Sequence, residues 1–377
     1  MLLNGLIVLT AVLCLLPVAM FLKNIKLFLP ANNDPLQLEK LRRTPISVCI
    51  PARNEAKSIG AALSSLLESH HDVYEVLVLD DHSEDDTPEI VAEWMKKSDR
   101  VKLLQSPPLP EGWNGKQHAC WQLANFAQHE FLLFLDADVR LSPDALTRIL
   151  AEQSVRDVSL LSGFPSQETG TFSEKLLIPM MHYVLLCYLP MDRMRASTDP
   201  GFAAGCGQLF LAKKSDYLTC EGHSAIRGSR HDGIKLPRTF RKAGMHTDLF
   251  DATDLATCRM YDSLSQVQRG LLKNATEGIA NARLIGPFTV LLLGGTILPI
   301  VLFVMGWLQS WSPMILIFLA LLCGLAWIPR VVAASKFRQS GLGAACHPIA
   351  IVWFVGLQWI ALIREFLGLK TRWRGRN

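Results

Sequence analysis

Phe131-Leu132-Leu133-Phe134-Leu135-Asp136-Ala137-Asp138 is the stretch on which the fold turns. Its five apolar residues have no polar alternation, which suits a strand buried on both faces of a mainly parallel sheet. Residues 76–79 read the same way, and 46–50, 101–104 and 158–162 are three further candidate strands. Helices between them have readable starts. Thr87 before Pro88, and Ser142 before Pro143, each offer an N-cap followed by proline at the first helical position. Strands alternating with helices imply an α/β domain built on a doubly wound, mostly parallel sheet, here spanning 44–283. Such sheets bind ligands at the carboxyl ends of their strands.

The polar residues after those strands are therefore the candidate site. Pro51-Ala52-Arg53-Asn54-Glu55 follows the first strand and could contact a nucleotide, or be a plain loop. Asp80-Asp81-His82-Ser83, then Asp85, Asp86 and Thr87, follow the second. Two adjacent acids can accept hydrogen bonds from a base or ribose, and Asp86 with Thr87 can cap the next helix. After the fourth strand, Asp136 and Asp138 stand one residue apart, a spacing that can grip a hard divalent cation bridging a diphosphate. Lys116, beside Gly112 and Gly115, suits a phosphate contact, with an exposed lysine as the lesser alternative.

The ends of the chain are different in character. Half of the 377 residues are apolar and 19% are charged, with the apolar excess at both termini. Residues 1–22 carry no charged side chain, and about 20 such residues cross the hydrocarbon layer. No positive stretch precedes them, as a cleavable signal would have. Lys23, Lys26, Lys40, Arg42 and Arg43 follow, so the positive-inside rule puts the N-terminus outside and the middle of the chain in the cytosol. Further apolar segments lie at 285–308, 312–329 and 347–367, with Trp307, Trp311, Trp327 and Trp359 near their edges or ends.

If all three cross, the basic tail (368–377) falls outside, so one segment is expected to be re-entrant or interfacial. The stretch 176–189, interrupted by Pro179, is too short to span; it reads as a buried helix or one in the headgroup layer. The expectation is a multi-pass inner-membrane protein with a cytosolic catalytic domain. The net charge of +4 gives little reason to expect nucleic acid. The nine scattered cysteines, without a CxxC pair, argue against a disulfide framework or zinc site and suit buried, reduced thiols.

Taken together, PARNE, DDHSEDDT and DAD resemble the GT-A fold of family 2 glycosyltransferases, over about residues 44–270. Gly112-Trp113-Asn114-Gly115-Lys116 resembles the GWxGK motif of the carotenoid and hopanoid-biosynthesis-associated members, as do the membrane segments and the terminal Trp373-Arg374-Gly375-Arg376. The resemblance implies that Pro51, Ala52, Asn54, Glu55, Asp80 and Asp81 hold the nucleoside. It places Asp136 near the donor, Asp138 on a divalent cation (Mg2+ or Mn2+) and Lys116 on the diphosphate. Where the family has an acidic pair before a helix, this chain has His231-Asp232 ahead of 234–243. Asp232 is the expected general base, and a helix N-cap is its other possible role.

Gln266-Val267-Gln268-Arg269-Gly270, in a helix read over 262–283, resembles the QxxRW signature of processive synthases, with Gly270 in place of tryptophan. Without that ring to support a growing glycan, a single transfer is expected. Gln266 and Arg269 could approach the diphosphate or simply form a solvated face. The expectation is an inverting, non-processive transferase moving a sugar from a nucleotide donor, a UDP-sugar favoured, to a membrane lipid of isoprenoid type. The alternatives are a polyprenyl-phosphate, sphingolipid or glycerolipid acceptor, or an inactive membrane scaffold.

Overall fold

The protein is described by a computed structural model over residues 2–369. Most of the basic tail and the Trp373–Arg376 motif lie outside the described residues. Two compact units emerge: 28–167 with 191–260, and 1–27 with 168–190 and 261–377. The chain thus divides differently from the boundary read at 44–283. Residues 168–190 and 261–283 group with the apolar termini rather than with the sheet.

The first unit is built on one eight-stranded sheet. Its strands are β1 (Ile46–Ala52), β2 (Tyr74–Asp80), β3 (Val101–Gln105), β4 (Phe131–Leu135), β5 (Val139–Leu141), β6 (Leu160–Gln167), β7 (Leu209–Lys213) and β8 (Thr247–Cys258). They lie in the order β3-β2-β1-β4-β7-β6-β8-β5. Strands β1 to β4 are mutually parallel, and β6 runs parallel to β8. Strands β7 and β5 run antiparallel to their neighbours. The sheet is therefore mixed but mainly parallel.

Alternate residues of each central strand enter two separate cores. Val48, Ile50, Val76, Val78, Leu133 and Leu135 join one, with Leu63 of the helix Ile59–Leu67 and Ile149 of Ala145–Arg156. Cys49, Leu77, Leu79, Leu132 and Phe134 join the other, with Leu123 of the helix Gly115–Phe126 and Phe240 of Asp232–Lys242. Burial on both sides is why these strands read as unbroken apolar runs.

Several boundaries differ from the sequence reading, among them the strand read at 158–162, which is Leu160–Gln167, and the helix read over 262–283, which is Leu264–Asn274. Pro51 and Ala52 are the last residues of β1, paired with Leu79 and Asp80, rather than part of the following loop. The helix expected from Ser142-Pro143 begins at Ala145 after Asp144. Pro143 is held back because its carbonyl accepts from the His70 N–H at 2.8 Å. The helix read as 234–243 begins at Asp232. All nine cysteines are free, seven of them buried.

Among the described residues of the second unit, three helices are long and apolar enough to cross a membrane: Leu3–Asn24, Pro313–Lys336 and His347–Phe366. Segment 285–308 is a helix pair, Ile285–Thr296 and Leu298–Leu308, bent by 46°. Pro299 removes a backbone donor there and crowds the carbonyl four residues earlier, enough to break a helix. The neighbouring Gly295 lies so close to the Leu13 carbonyl that an added Cβ would stand 2.6 Å from it. Small residues permit this approach of apolar helices. Stretch 176–189 is split at Pro179 into Phe172–Leu177 and Met180–Tyr188, both largely buried. Asn24 Nδ2 donates to the carbonyls of Leu186 and Leu189, at 2.9 and 2.6 Å, satisfying the end of the second helix.

Leu133 is at 0% exposure in the central strand β4. Leu133→Ala should lower stability by about 2–5 kcal/mol, read as a lower thermal unfolding temperature of the detergent-solubilised chain. An unchanged temperature would contradict the core described.

Candidate active site

The carboxyl ends of β1, β2 and β4 point the same way, so their loops meet. The loops after β1 and β2 are stapled backbone to side chain. Asn54, held at φ 54°, takes the Glu84 N–H on its Oδ1 at 2.8 Å, and its own N–H donates to Ser83 Oγ at 3.0 Å. Asparagine tolerates this left-handed conformation better than most residues. The Glu55 N–H donates to Thr87 Oγ1 at 2.8 Å, and the Ala56 N–H to Asp85 Oδ2 at 3.1 Å. Asp80 accepts from the Ser83 N–H and from Gln105 Nε2, so it serves its own loop. Asp81 is buried within electrostatic reach of His118 on the helix Gly115–Phe126. Trp113 meets the His118 ring edge-on at 5.3 Å, and His118 Nδ1 is buried without a hydrogen-bond partner.

Asn114 caps that helix by accepting from the Lys116 N–H at 3.1 Å, which fixes the first turn and aims Lys116. The Lys116 ammonium lies 2.6 Å from Asp136 Oδ1 and 2.9 Å from Asp232 Oδ2, and donates to the Gly207 carbonyl at 3.1 Å. One cation thus joins the carboxylate after β4 to the carboxylate that opens the helix Asp232–Lys242. Burial alone would push Asp232 up. The Lys116 charge and hydrogen bond, helped by His223 and His231, outweigh it and lower the carboxyl to about 2. Burial opposes the Lys116 charge as well, yet Asp136 and Asp232 hold its pKa well above the usual lysine value. The other oxygen of Asp232 accepts from the Gly233 N–H at 2.8 Å, but Asp232 is the first residue of its helix and His231 is the N-cap, so the N-cap role read from the sequence does not hold.

Asp138 is in the opposite condition. Burial, then the charges of Asp136 and Glu55, push its carboxyl up to about 7. Its Oδ1 is buried with no hydrogen-bond partner, while the Cys258 thiol meets the carboxylate. Among the described residues, no group of three or more His, Cys, Asp or Glu side chains could hold a metal by itself. The residues nonetheless fit a hard divalent cation. They present an orphaned carboxylate oxygen beside a second carboxylate, in a site with more acids than the one ammonium offsets. Asp138 would hold the ion, with the Asp136 carboxylate beside it.

Several participants were not read from the sequence. Gly205 and Gly207 lie in the turn before β7, and a Cβ on Gly207 would overlap the Asp232 carboxylate. Gln208 donates to Cys258 Sγ at 2.7 Å and accepts from Gln167 at 2.7 Å, bracing the floor beneath Asp138. The paired glycines before an apolar run were the available signal. On the helix Leu264–Asn274 of the second unit Gln266 is half-buried and Arg269 is exposed, and Arg269 Nε donates to the Ser265 carbonyl. Gly270 lies against the Tyr261 ring, which fills the space a larger side chain would need.

Residues 47–218 match the profile of Glycosyl transferase family 2. The chain carries a glycosyl transferase family 2 domain. A 4,4'-diaponeurosporenoate glycosyltransferase of Staphylococcus haemolyticus is 29% identical over 222 residues, 58% of this chain and 57% of that relative. The enzyme of the same name from Staphylococcus aureus is 25% identical over 346 residues, 88% of each chain. A mannosyltransferase of Pyrobaculum calidifontis, solved with GDP-Man and Mn2+, superposes with a TM-score of 0.55 at 18% identity, covering 97% of this chain and 99% of that one. This likeness is one of fold, and it identifies the glycosyltransferase domain as GT-A-like.

Gly207→Ala should displace Asp232 while leaving the sheet intact. Sugar transfer should fall by roughly a hundredfold at an unchanged unfolding temperature. Full activity in this variant would show that Asp232 need not sit where Gly207 lets it.

Proposed function

We propose that the chain is an inverting, non-processive glycosyltransferase that moves a sugar from a nucleotide-sugar donor, a UDP-sugar favoured, to a membrane lipid. The observation that carries this reading is the Lys116 ammonium, set between Asp136 and Asp232 beside the orphaned Asp138. A donor diphosphate offers Lys116 a stronger anionic partner than either carboxylate. Its move onto the diphosphate would release Asp232 as a base for the acceptor hydroxyl or acid. Asp232 then takes the acceptor proton as the acceptor oxygen attacks the anomeric carbon from the face opposite the leaving group. One displacement of this kind inverts the anomeric configuration. A divalent cation, Mg2+ or Mn2+, when bound at Asp138, supplies positive charge to the departing nucleoside diphosphate.

For the nucleoside we propose Pro51, Ala52, Asn54, Glu55, Asp80 and Asp81, with Trp113 and His118 beside Asp81 as added candidates for the base. Gln266 and Arg269 are proposed, on the sequence resemblance, as further diphosphate contacts. The Staphylococcus relatives are named for a carotenoid-type acceptor, which supports an isoprenoid lipid here. The apolar helices support a multi-pass membrane protein. The basic residues after residue 22 support a cytosolic catalytic domain spanning 44–283 in sequence, anchored by 1–22 and 285–367.

Transfer from radiolabelled UDP-sugars to lipid in isolated membranes tests the assignment. Asp232→Asn should reduce it by about 10²–10⁴-fold, and chelation of divalent ions should abolish it. Equal turnover by the variant would remove Asp232 from the mechanism, and indifference to chelation would remove the metal. Lys116→Met has a separate signature. With the ammonium gone, burial governs Asp232 and its pKa rises above about 2. The acidic limb of the pH–rate profile should therefore move to higher pH, and a limb that stays in place would show that Lys116 does not set the charge of the base.

A further inference from the structure

Among the described residues, the second unit buries a cation that no acidic group offsets. Arg330, in the helix Pro313–Lys336, is at 0% exposure. Its Nη1 donates to Gln339 Oε1 at 2.6 Å, but its Nε and Nη2 are buried with no hydrogen-bond partner. The ionisable groups within its electrostatic reach are His182, Tyr183, Cys187 and His347, none of them a carboxylate. His347 is also at 0% exposure, and neither of its ring nitrogens has a partner.

These side chains form one cluster. The Tyr183 ring lies 4.6 Å from His347, and His182 stacks on Phe337 at 4.5 Å. His347 opens the 20-residue helix His347–Phe366, so the positive end of that helix dipole falls at the same place. A guanidinium held among apolar helices with two nitrogens unmet is costly unless an anion joins it. Ionisable side chains at such depth ordinarily mark ligand sites. The nearby surface is apolar: Val331, Leu342 and Ile349 are 53%, 55% and 55% exposed. An occupant matched to both features carries an oxyanion at the end of an apolar chain.

We propose that Arg330 and His347, with His182 beside them, bind the carboxylate or phosphate headgroup of an acidic lipid. The planar guanidinium can present its two unmet nitrogens to paired oxygens, as a lysine could not. This site is separate from the transfer chemistry and does not depend on the reading of Asp232.

The test uses the full chain in a neutral maltoside detergent, with equilibrium binding of radiolabelled oleate. Oleate should bind saturably, and neither oleyl alcohol nor inorganic phosphate should displace it. Arg330→Gln should weaken binding about tenfold or more, with partial recovery in Arg330→Lys. Displacement by oleyl alcohol would show that only the apolar chain is recognised, and displacement by inorganic phosphate would show a site for the free ion; either overturns the proposal. So would Arg330→Gln binding oleate like the parent. Size-exclusion profile and unfolding temperature report whether that variant folds. Should it not, His347→Gln decides: weakened oleate binding upholds the site, and unchanged binding overturns it.

Discussion

The Lys116 ammonium is the contact on which the candidate site depends. It ties a carboxylate from the end of β4 to one that begins a helix almost a hundred residues later in the chain. Without a cation between them, Asp136 and Asp232 would repel one another in partly desolvated surroundings, where like charges interact more strongly than in water. The contact also requires room. Gly207 has no Cβ, so Asp232 can occupy the space beside it, and the carbonyl of the same glycine takes one hydrogen bond of the ammonium. Asn114 fixes the start of the helix that carries Lys116. Backbone capping, a missing side chain and one ion pair together produce the geometry.

The charge balance around this contact explains its chemistry. Lys116 is one positive charge facing Asp136 and Asp232, with Asp138 and Glu55 close behind. Burial first, and then this excess negative charge, raise the pKa of Asp138, whose buried oxygen has no donor. Such a site favours an incoming cation, and a cation in turn favours a diphosphate. The acids that hold neighbouring loops, Asp80 and Asp85, are instead satisfied by backbone N–H groups. Adjacent carboxylates in one loop can thus have different duties, decided by which donors surround each.

The second unit follows the same rule in apolar surroundings. Asn24 satisfies the end of one buried helix, and Gly295 lets two helices approach closely. Arg330 and His347 there each keep two buried nitrogens without a hydrogen-bond partner. Tyr261 against Gly270 shows the converse. A small residue that departs from a signature can be required by the ring packed upon it.

The sequence by itself determined the sheet's central strands, the acids at their ends and the apolar termini. A strand buried on both faces must be apolar throughout, and a spanning helix must be apolar for its whole length. That is why 131–135 was readable to the residue and Asp136 and Asp138 could be singled out at its end, whereas Asp232 was singled out by the family resemblance alone. Strands β5, β7 and β8 escaped notice because their meaning lies in pairing with distant partners. Tertiary structure alone decided that Asn54 and Asp80 brace loops, that Gly207 makes room for Asp232, and that 168–190 and 261–283 leave the sheet unit. It also brought His182, Arg330 and His347 together. The reason is common to all: hydrogen bonds and charges act over a few ångströms in space, and residues far apart in sequence become neighbours only when the chain has folded.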